Sequence, residues 1–144
     1  MIAADSPAGL PAGFWRWPHI DPAREWADRI SGAIAVVPEF LDKLEALRAR
    51  VGRPLVIVSG YRTPEHNAAI SRSGESGPHT HARAVDIRIY GTAALELVRH
   101  AMDLGFTGFG FEQSLELAPI RRYVHLDDLT AADGFPARPN LWSY

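Results

Sequence analysis

Apolar positions recur along this chain with two periods, and the change from one to the other marks out the elements. From Pro38 to Val51, the residues Phe40, Leu41, Leu44, Leu47 and Val51 form one stripe, with Glu39, Asp42, Lys43, Glu45, Arg48 and Arg50 opposite. That spacing predicts an amphipathic helix opened by Pro38 and stopped by Gly52. A second helix is predicted over Thr92–Leu104, with Leu95, Val98 and Met102 at i, i+3 and i+7 and Gly105 ending it. Elsewhere the period is two. In Ala84–Tyr90, Val85, Ile87 and Ile89 point one way, and Ala84, Asp86, Arg88 and Tyr90 the other. Tyr123–Asp127 alternates likewise, with Tyr123, His125 and Asp127 on one face. The β-branched run Pro54–Ser59 predicts a buried strand. Phe106–Phe111 interleaves aromatic and small residues, as a strand does when other backbone approaches it closely.

Punctuation supplies the rest. Asp21-Pro22 starts a short helix that ends near Ser31-Gly32, and Thr63-Pro64 starts another that dissolves into the polar loop Ser71–Gly77. Residues 1–13 read as a flexible lead-in, and Phe14–Pro18, with three aromatics, as a cover laid over the core. The stretch after Asp127 reads as extended and turn-rich. The order of elements predicts an α+β fold, a small mostly antiparallel sheet backed by helices. A length of 144 residues, 47% of them hydrophobic, suits one globular domain, with residues 1–35 as lead-in and cover and 36–144 as its body.

Composition narrows the chemistry. A net charge of −2 gives no reason to expect nucleic acid or an anionic membrane as partner. With no cysteine, any metal must be held by His, Asp or Glu. No window approaches the roughly 18 apolar residues of a membrane span, and the N-terminus lacks the basic and apolar regions of a signal peptide. A soluble monomer made in the cytoplasm is expected. The stretch Pro78–Asp86 offers His79 from a loop and Asp86 from a strand, and His125 can join them from the next alternating strand. Two histidines and a carboxylate with an open fourth position are a usual composition for a catalytic zinc site. The same spacing also suits His79 capping a turn, Asp86 paired with Arg83 or Arg88, and His125 half-buried in its sheet.

Three segments taken in order carry a resemblance: Ser59-Gly-Tyr-Arg-Thr-Pro-Glu-His-Asn67, then His79-x-x-Ala82-x-Ala84-x-Asp86, then Tyr123-Val-His125-Leu-Asp127. Together they resemble the zinc D-Ala-D-Ala carboxypeptidase and L-alanyl-D-glutamate endopeptidase family, whose fold is shared with hedgehog proteins. The closing Ala137-Arg-Pro…Trp142-Ser-Tyr144 is similar to the ending of its phage-associated branch. The resemblance covers residue 36 onward. It implies a zinc metallopeptidase acting on the stem peptide of peptidoglycan, as a D,D-carboxypeptidase or an endopeptidase. It also implies action on the cell wall, as by an endolysin, or carriage by a phage particle.

The resemblance makes His79, Asp86 and His125 the zinc ligands and Arg62 the residue that binds substrate and the charge developing at the scissile carbonyl. Tyr61 and His81 become pocket residues, and Asp127 orients His125 or the substrate. Gly77 stands where the family has serine, and Ala82 where it has glycine, which suits poorly a position needing positive φ. Arg122 stands where characterised relatives carry the general-base glutamate, and an arginine cannot accept a proton. Glu112 and Asp127 are the carboxylates left for that role. A non-catalytic, zinc-containing binding module of the same fold is the alternative expectation.

Overall fold

The two segments that alternate most cleanly in sequence lie side by side in space. The computed structural model describes residues 1–144. It has strands β1 (Ile2–Ala4), β2 (Ile34–Val36), β3 (Val56–Ser59), β4 (Ala84–Arg88), β5 (Gly108–Glu112), β6 (Tyr123–Asp127) and β7 (Asn140–Ser143). The helices are α1 (Pro38–Val51), α2 (Pro64–Ile70) and α3 (Gly91–Asp103). The main sheet is ordered β3-β4-β6-β5-β7, antiparallel throughout except for the β5–β7 pair, while β1 and β2 form a small separate ladder. This is the mostly antiparallel α+β fold that the order of elements predicts.

The sheet has two unlike faces. Val85, Ile87, Phe109, Val124 and Leu126 join Phe40, Leu41, Leu44 and Leu47 of α1 and Leu97 of α3 in one core cluster. Each leucine buried there contributes about 1.5–3 kcal/mol relative to exposure. The opposite face carries Asp86, His125 and Asp127, and is covered by the turn around His79 and by the segment after Asp127. α1 keeps the limits its sequence predicts. Gly52 ends it at φ 71, a left-handed conformation in which its N–H reaches the carbonyl of Arg48.

The buried stripe of α3 differs from the predicted one. Leu95 and Met102 are 72% and 54% exposed, and the buried positions are Ala94, Leu97 and Ala101. The helix packs on α1, and its alanines, having no bulk beyond Cβ, let the axes approach while the longer chains face water. The expected buried strand Pro54–Ser59 is an edge strand that starts at Val56, which is 46% exposed.

Residues 1–35 are built into the body rather than laid outside it. Ile2–Ala4, expected to be a flexible lead-in, pair with Ile34–Val36. Trp17, Ile20, Trp26, Ala27, Ile34 and Ala35 all belong to the core cluster. Asp21 caps the amides of Ala23 and Arg24 as its sequence predicts, but the helix is a single wide turn, Pro22–Trp26. It stops because the buried carboxylate of Asp28 accepts from the amides of Ile30 and Ser31 and reverses the chain. The other oxygen of Asp28 accepts from the Thr63 amide and lies 2.7 Å from Nδ1 of His66. One carboxylate thus ties the N-terminal segment to the start of α2. Burial alone would raise its pKa, but these hydrogen bonds outweigh that and hold it well below the usual carboxylate range.

Candidate metal centre

Strand register places the polar groups. Ser59, Asp86, His125, Gly110 and Trp142 form one row across all five strands of the main sheet. On one side of it runs the row Ala84, Asp127, Gly108 and Asn140, and on the other the row Arg88, Tyr123 and Glu112. Asp86 and His125 are therefore cross-strand neighbours, and the Nδ1 of His125 lies 2.9 Å from Oδ1 of Asp86. His79 enters from above, in a 3-10 turn over Pro78–His81 rather than an irregular loop. Its Nε2 lies 3.3 Å from Oδ1 of Asp86 and 3.2 Å from Nδ1 of His125. All three residues are buried, and one donor atom from each lies within 4.8 Å of the others.

The outward partners of the rings decide which atoms face inward. Nδ1 of His79 is 2.6 Å from the Gly60 carbonyl oxygen, and Nε2 of His125 is 3.2 Å from Oδ2 of Asp127. The Gly60 carbonyl only accepts, so Nδ1 of His79 carries its ring's proton, whereas His125 meets a carboxylate on each side, Asp127 at Nε2 and Asp86 at Nδ1. With the His125 proton held on Nε2 by Asp127, Nε2 of His79 and Nδ1 of His125 present lone pairs to each other and to Asp86. Three acceptors facing one another across about 3 Å fit a cation at their centre, and imidazole with carboxylate suits several divalent metals. The group could hold a metal ion.

Titration follows from the same contacts. Burial depresses the pKa of His79, and Asp86 offsets this only in part. For His125 burial acts in the same direction, but the hydrogen bonds to Asp127 and Asp86 outweigh it and raise the pKa. Burial would raise the Asp86 pKa, yet the two rings outweigh it and hold the carboxyl far below its ordinary range.

Arg62 does not pair with Glu65. Its Nη2 donates to Oδ2 of Asp86 at 2.6 Å and its Nε to Ser59 Oγ at 2.9 Å. The guanidinium thus fixes the Asp86 carboxylate, leaving Oδ1 toward the histidines, and Arg62 itself lines the cavity above. Asp86 accordingly pairs with neither Arg83 nor Arg88. Arg83 instead bonds Asp128 and Asp133.

The cavity over the three donors has a volume of about 720 Å³, within the usual range for ligand sites. Its lining carries three guanidinium groups, Arg62, Arg72 and Arg138, against the single carboxylate of Asp86. Tyr123 lines it as well, with a phenol pKa raised by burial, so the hydroxyl stays protonated and can donate.

Other expected site residues fall outside this lining. Tyr61 packs against the core, and its amide bonds the Trp26 carbonyl. His81 lies 2.9 Å from the Gly77 carbonyl oxygen through Nδ1 and meets the Phe135 ring edge-on. Glu112 shares the face of His125 but lies one row beyond it, beside Tyr123, and its Oε1 accepts from the Ser114 amide. Asp127 is fully buried behind His125. Burial alone would raise its pKa, but hydrogen bonds from His125 and Arg138 bring it to about 2. Arg122 turns away to the carbonyls of Leu115 and Leu117.

The departures at Gly77 and Ala82 have local counterparts. A Cβ at Gly77 would stand 2.2 Å from Ser73 Oγ, so the loop as folded has no room for serine there. Ala82 does adopt φ 53, the left-handed conformation that disfavours alanine, and it is fully buried at the end of the His79 turn.

Sequence reasoning missed Trp142 as part of this site. Its indole lies 5.3 Å from the His125 ring, over Gly110, where a Cβ would be 2.7 Å from the indole. The glycines of β5 are small because side chains, not other backbone, occupy their space. That alternation of Phe and Gly was the available signal.

A family profile described as Peptidase M15 matches residues 20–127. The comparisons with curated proteins and with solved structures gave no match.

Proposed function

Because the chain belongs to the peptidase M15 family, we propose that it is a zinc-dependent peptidase that hydrolyses a peptide bond in the stem peptide of peptidoglycan. The observation that carries this reading is the convergence of two imidazole nitrogens and one carboxylate oxygen at the floor of a cavity of peptide-binding size. His79, Asp86 and His125 hold the ion. When bound, zinc supplies Lewis acidity, polarising a carbonyl and lowering the pKa of water to about 7.

The chain's own residues do the rest. Arg62 fixes Asp86 and presents its guanidinium to the cavity, where it stabilises negative charge developing on the substrate. Arg72 is exposed at the rim and makes no ion pair, so it is available to substrate. Arg62 is paired with Asp86 and Arg138 with Asp127, so Arg72 is the guanidinium left to meet a free carboxylate of the peptide, which stem peptides carry. Tyr123 donates a hydrogen bond to the bound peptide. For the proton, Glu112 is the better placed of the two remaining carboxylates, since it shares the open face of the sheet while Asp127 is locked behind His125. Action at the cell wall, as an endolysin or as part of a phage particle, is consistent with this substrate.

A second reading has a specific observation in its favour. No carboxylate besides Asp86 lines the cavity, which suits a zinc-containing module that binds wall peptides without cutting them. Metal analysis and a peptidoglycan digest of wild type, His125→Ala and Glu112→Gln separate these. About one zinc per chain, lost in His125→Ala, with released stem peptides that fall at least ~10²-fold in Glu112→Gln, supports the peptidase. Zinc without any released peptide supports the binding module. Absence of metal from wild type after incubation with zinc removes both.

A further inference from the structure

The family match ends at Asp127, yet Phe135, Arg138, Trp142, Ser143 and Tyr144 beyond it line the same cavity. Two of these act on His125. Arg138 forks onto the fully buried carboxylate of Asp127, Nε to Oδ1 at 2.9 Å and Nη2 to Oδ2 at 2.7 Å. That Oδ2 also accepts from Nε2 of His125, and Oδ1 from the Leu129 amide. Every direction in which the carboxylate could rotate breaks one of these bonds. Its seat exists only because position 108 is glycine, where a Cβ would stand 2.1 Å from Oδ2. Trp142 lies against the His125 ring, and the Arg138 guanidinium lies 4.9 Å above the Trp142 indole. The guanidinium thus links both contacts.

We infer that Arg138 and Trp142 are positioning residues, and that segment 128–144 completes the centre by fixing the His125 ring so that Nδ1 faces the other two donors. Arg138 acts through Asp127, and Trp142 acts on the ring directly. This rests on the reading above that His125 holds the metal. A carboxylate behind a ligating histidine is a known way of orienting it. Here the carboxylate is itself oriented by a residue of the tail.

The test is the zinc dissociation constant, by competition with a chromophoric chelator, for wild type, Arg138→Gln, Arg138→Lys and Trp142→Leu. Beside it runs proton NMR of the metal-free proteins for the His125 Nε2–H, whose signal is sheltered from exchange while Asp127 holds it. Arg138→Gln is expected to weaken zinc binding about 10–100-fold and to lose the sheltered signal while keeping a dispersed amide spectrum. Arg138→Lys, which keeps the charge and loses the fork, falls between. Trp142→Leu weakens binding and keeps the signal. Equal affinity, within about two-fold (well under the expected loss), and an unchanged signal in Arg138→Gln overturn the inference. If that variant does not fold, Arg138→Lys decides on the same criteria. If wild type itself binds no zinc, the peptidase reading fails, and the Nε2–H signal alone decides whether Arg138 fixes the ring.

Discussion

Adding one methyl group at Gly108 tests how tightly the buried network is drawn. In Gly108→Ala the new Cβ would lie 2.1 Å from Oδ2, 2.4 Å from Cγ and 2.5 Å from Oδ1 of Asp127. Relaxed contact between non-bonded heavy atoms is near 3.5 Å, so the carboxylate must retreat by about 1 Å or more. It cannot do so in place, because Arg138, His125 and the Leu129 amide hold both oxygens. Retreat therefore separates a buried charge pair, which costs about 3–5 kcal/mol when one charge is left uncompensated. For a chain of this length that lowers the melting temperature by roughly 10–20 °C. Gly74→Ala is the matched control. Gly74 has φ +66 and nothing within 4 Å of an added Cβ, so that variant bears only the left-handed backbone strain of about 1–2 kcal/mol. Thermal melts of wild type, of both variants, of Asp127→Ala and of Gly108→Ala in the Asp127→Ala background complete the cycle. The expected coupling between the two sites is at least about 2 kcal/mol, within the range for residues in contact. Additive effects, or a Gly108→Ala melt no lower than that of Gly74→Ala, refute the seating of the carboxylate on Gly108.

Three further outcomes follow from the site and its supports. Zinc at a hundred times its dissociation constant should stabilise the fold by about 2.7 kcal/mol, and chelation should remove that increment from the melting temperature in wild type but not in His125→Ala. Asp28, whose pKa is depressed in the fold, binds its proton more readily in the unfolded chain; its contribution is therefore full above about pH 4 and lost as pH falls. Asp28→Asn should lose about 1.5–3 kcal/mol at neutral pH and show a flatter acid limb in urea titrations, and an unchanged limb counts against the clamp. Arg72→Ala should raise KM several-fold for a stem peptide with free carboxylates and leave kcat alone, with no change for the amidated peptide; equal effects on both peptides count against carboxylate recognition.

How much of this was legible in the sequence depends on the range of the interaction. Tyr123–Asp127 was readable to its limits, and β4 from its start, because one buried face imposes strict alternation, and that alternation put Asp86, His125 and Asp127 on their shared face. Caps at Asp21 and Thr63 were readable because a cap is settled within three residues. Long-range packing was not. Ala94 and Ala101 look ordinary in composition, and only the approach of α1 makes them the buried stripe instead of Leu95 and Met102. Strands β1 and β7, of three and four residues, have no alternation of their own and exist through their partners. Asp28 gathers its donors from residues 30, 31, 63 and 66, and no local motif announces that set. The glycines at 108 and 110 signalled close approach without saying that Asp127 and Trp142 were what approached.

The register that sets Asp86 opposite His125 also bears on the order of events in folding. These residues are 39 apart in the chain, and they become neighbours only when β4 and β6 have paired. Strand pairing over such a separation is slow to form, since loop closure precedes any gain from contact. An ion therefore cannot gather its donors in the unfolded chain and act as a template, as it does in small zinc-nucleated domains. The hydrophobic cluster beneath the sheet must assemble first and offer the ion a finished seat. Binding then deepens the native well without lowering the barrier that leads into it, so metal should leave the folding rate unchanged and slow unfolding. In a stopped-flow chevron, chelation should shift the unfolding arm alone.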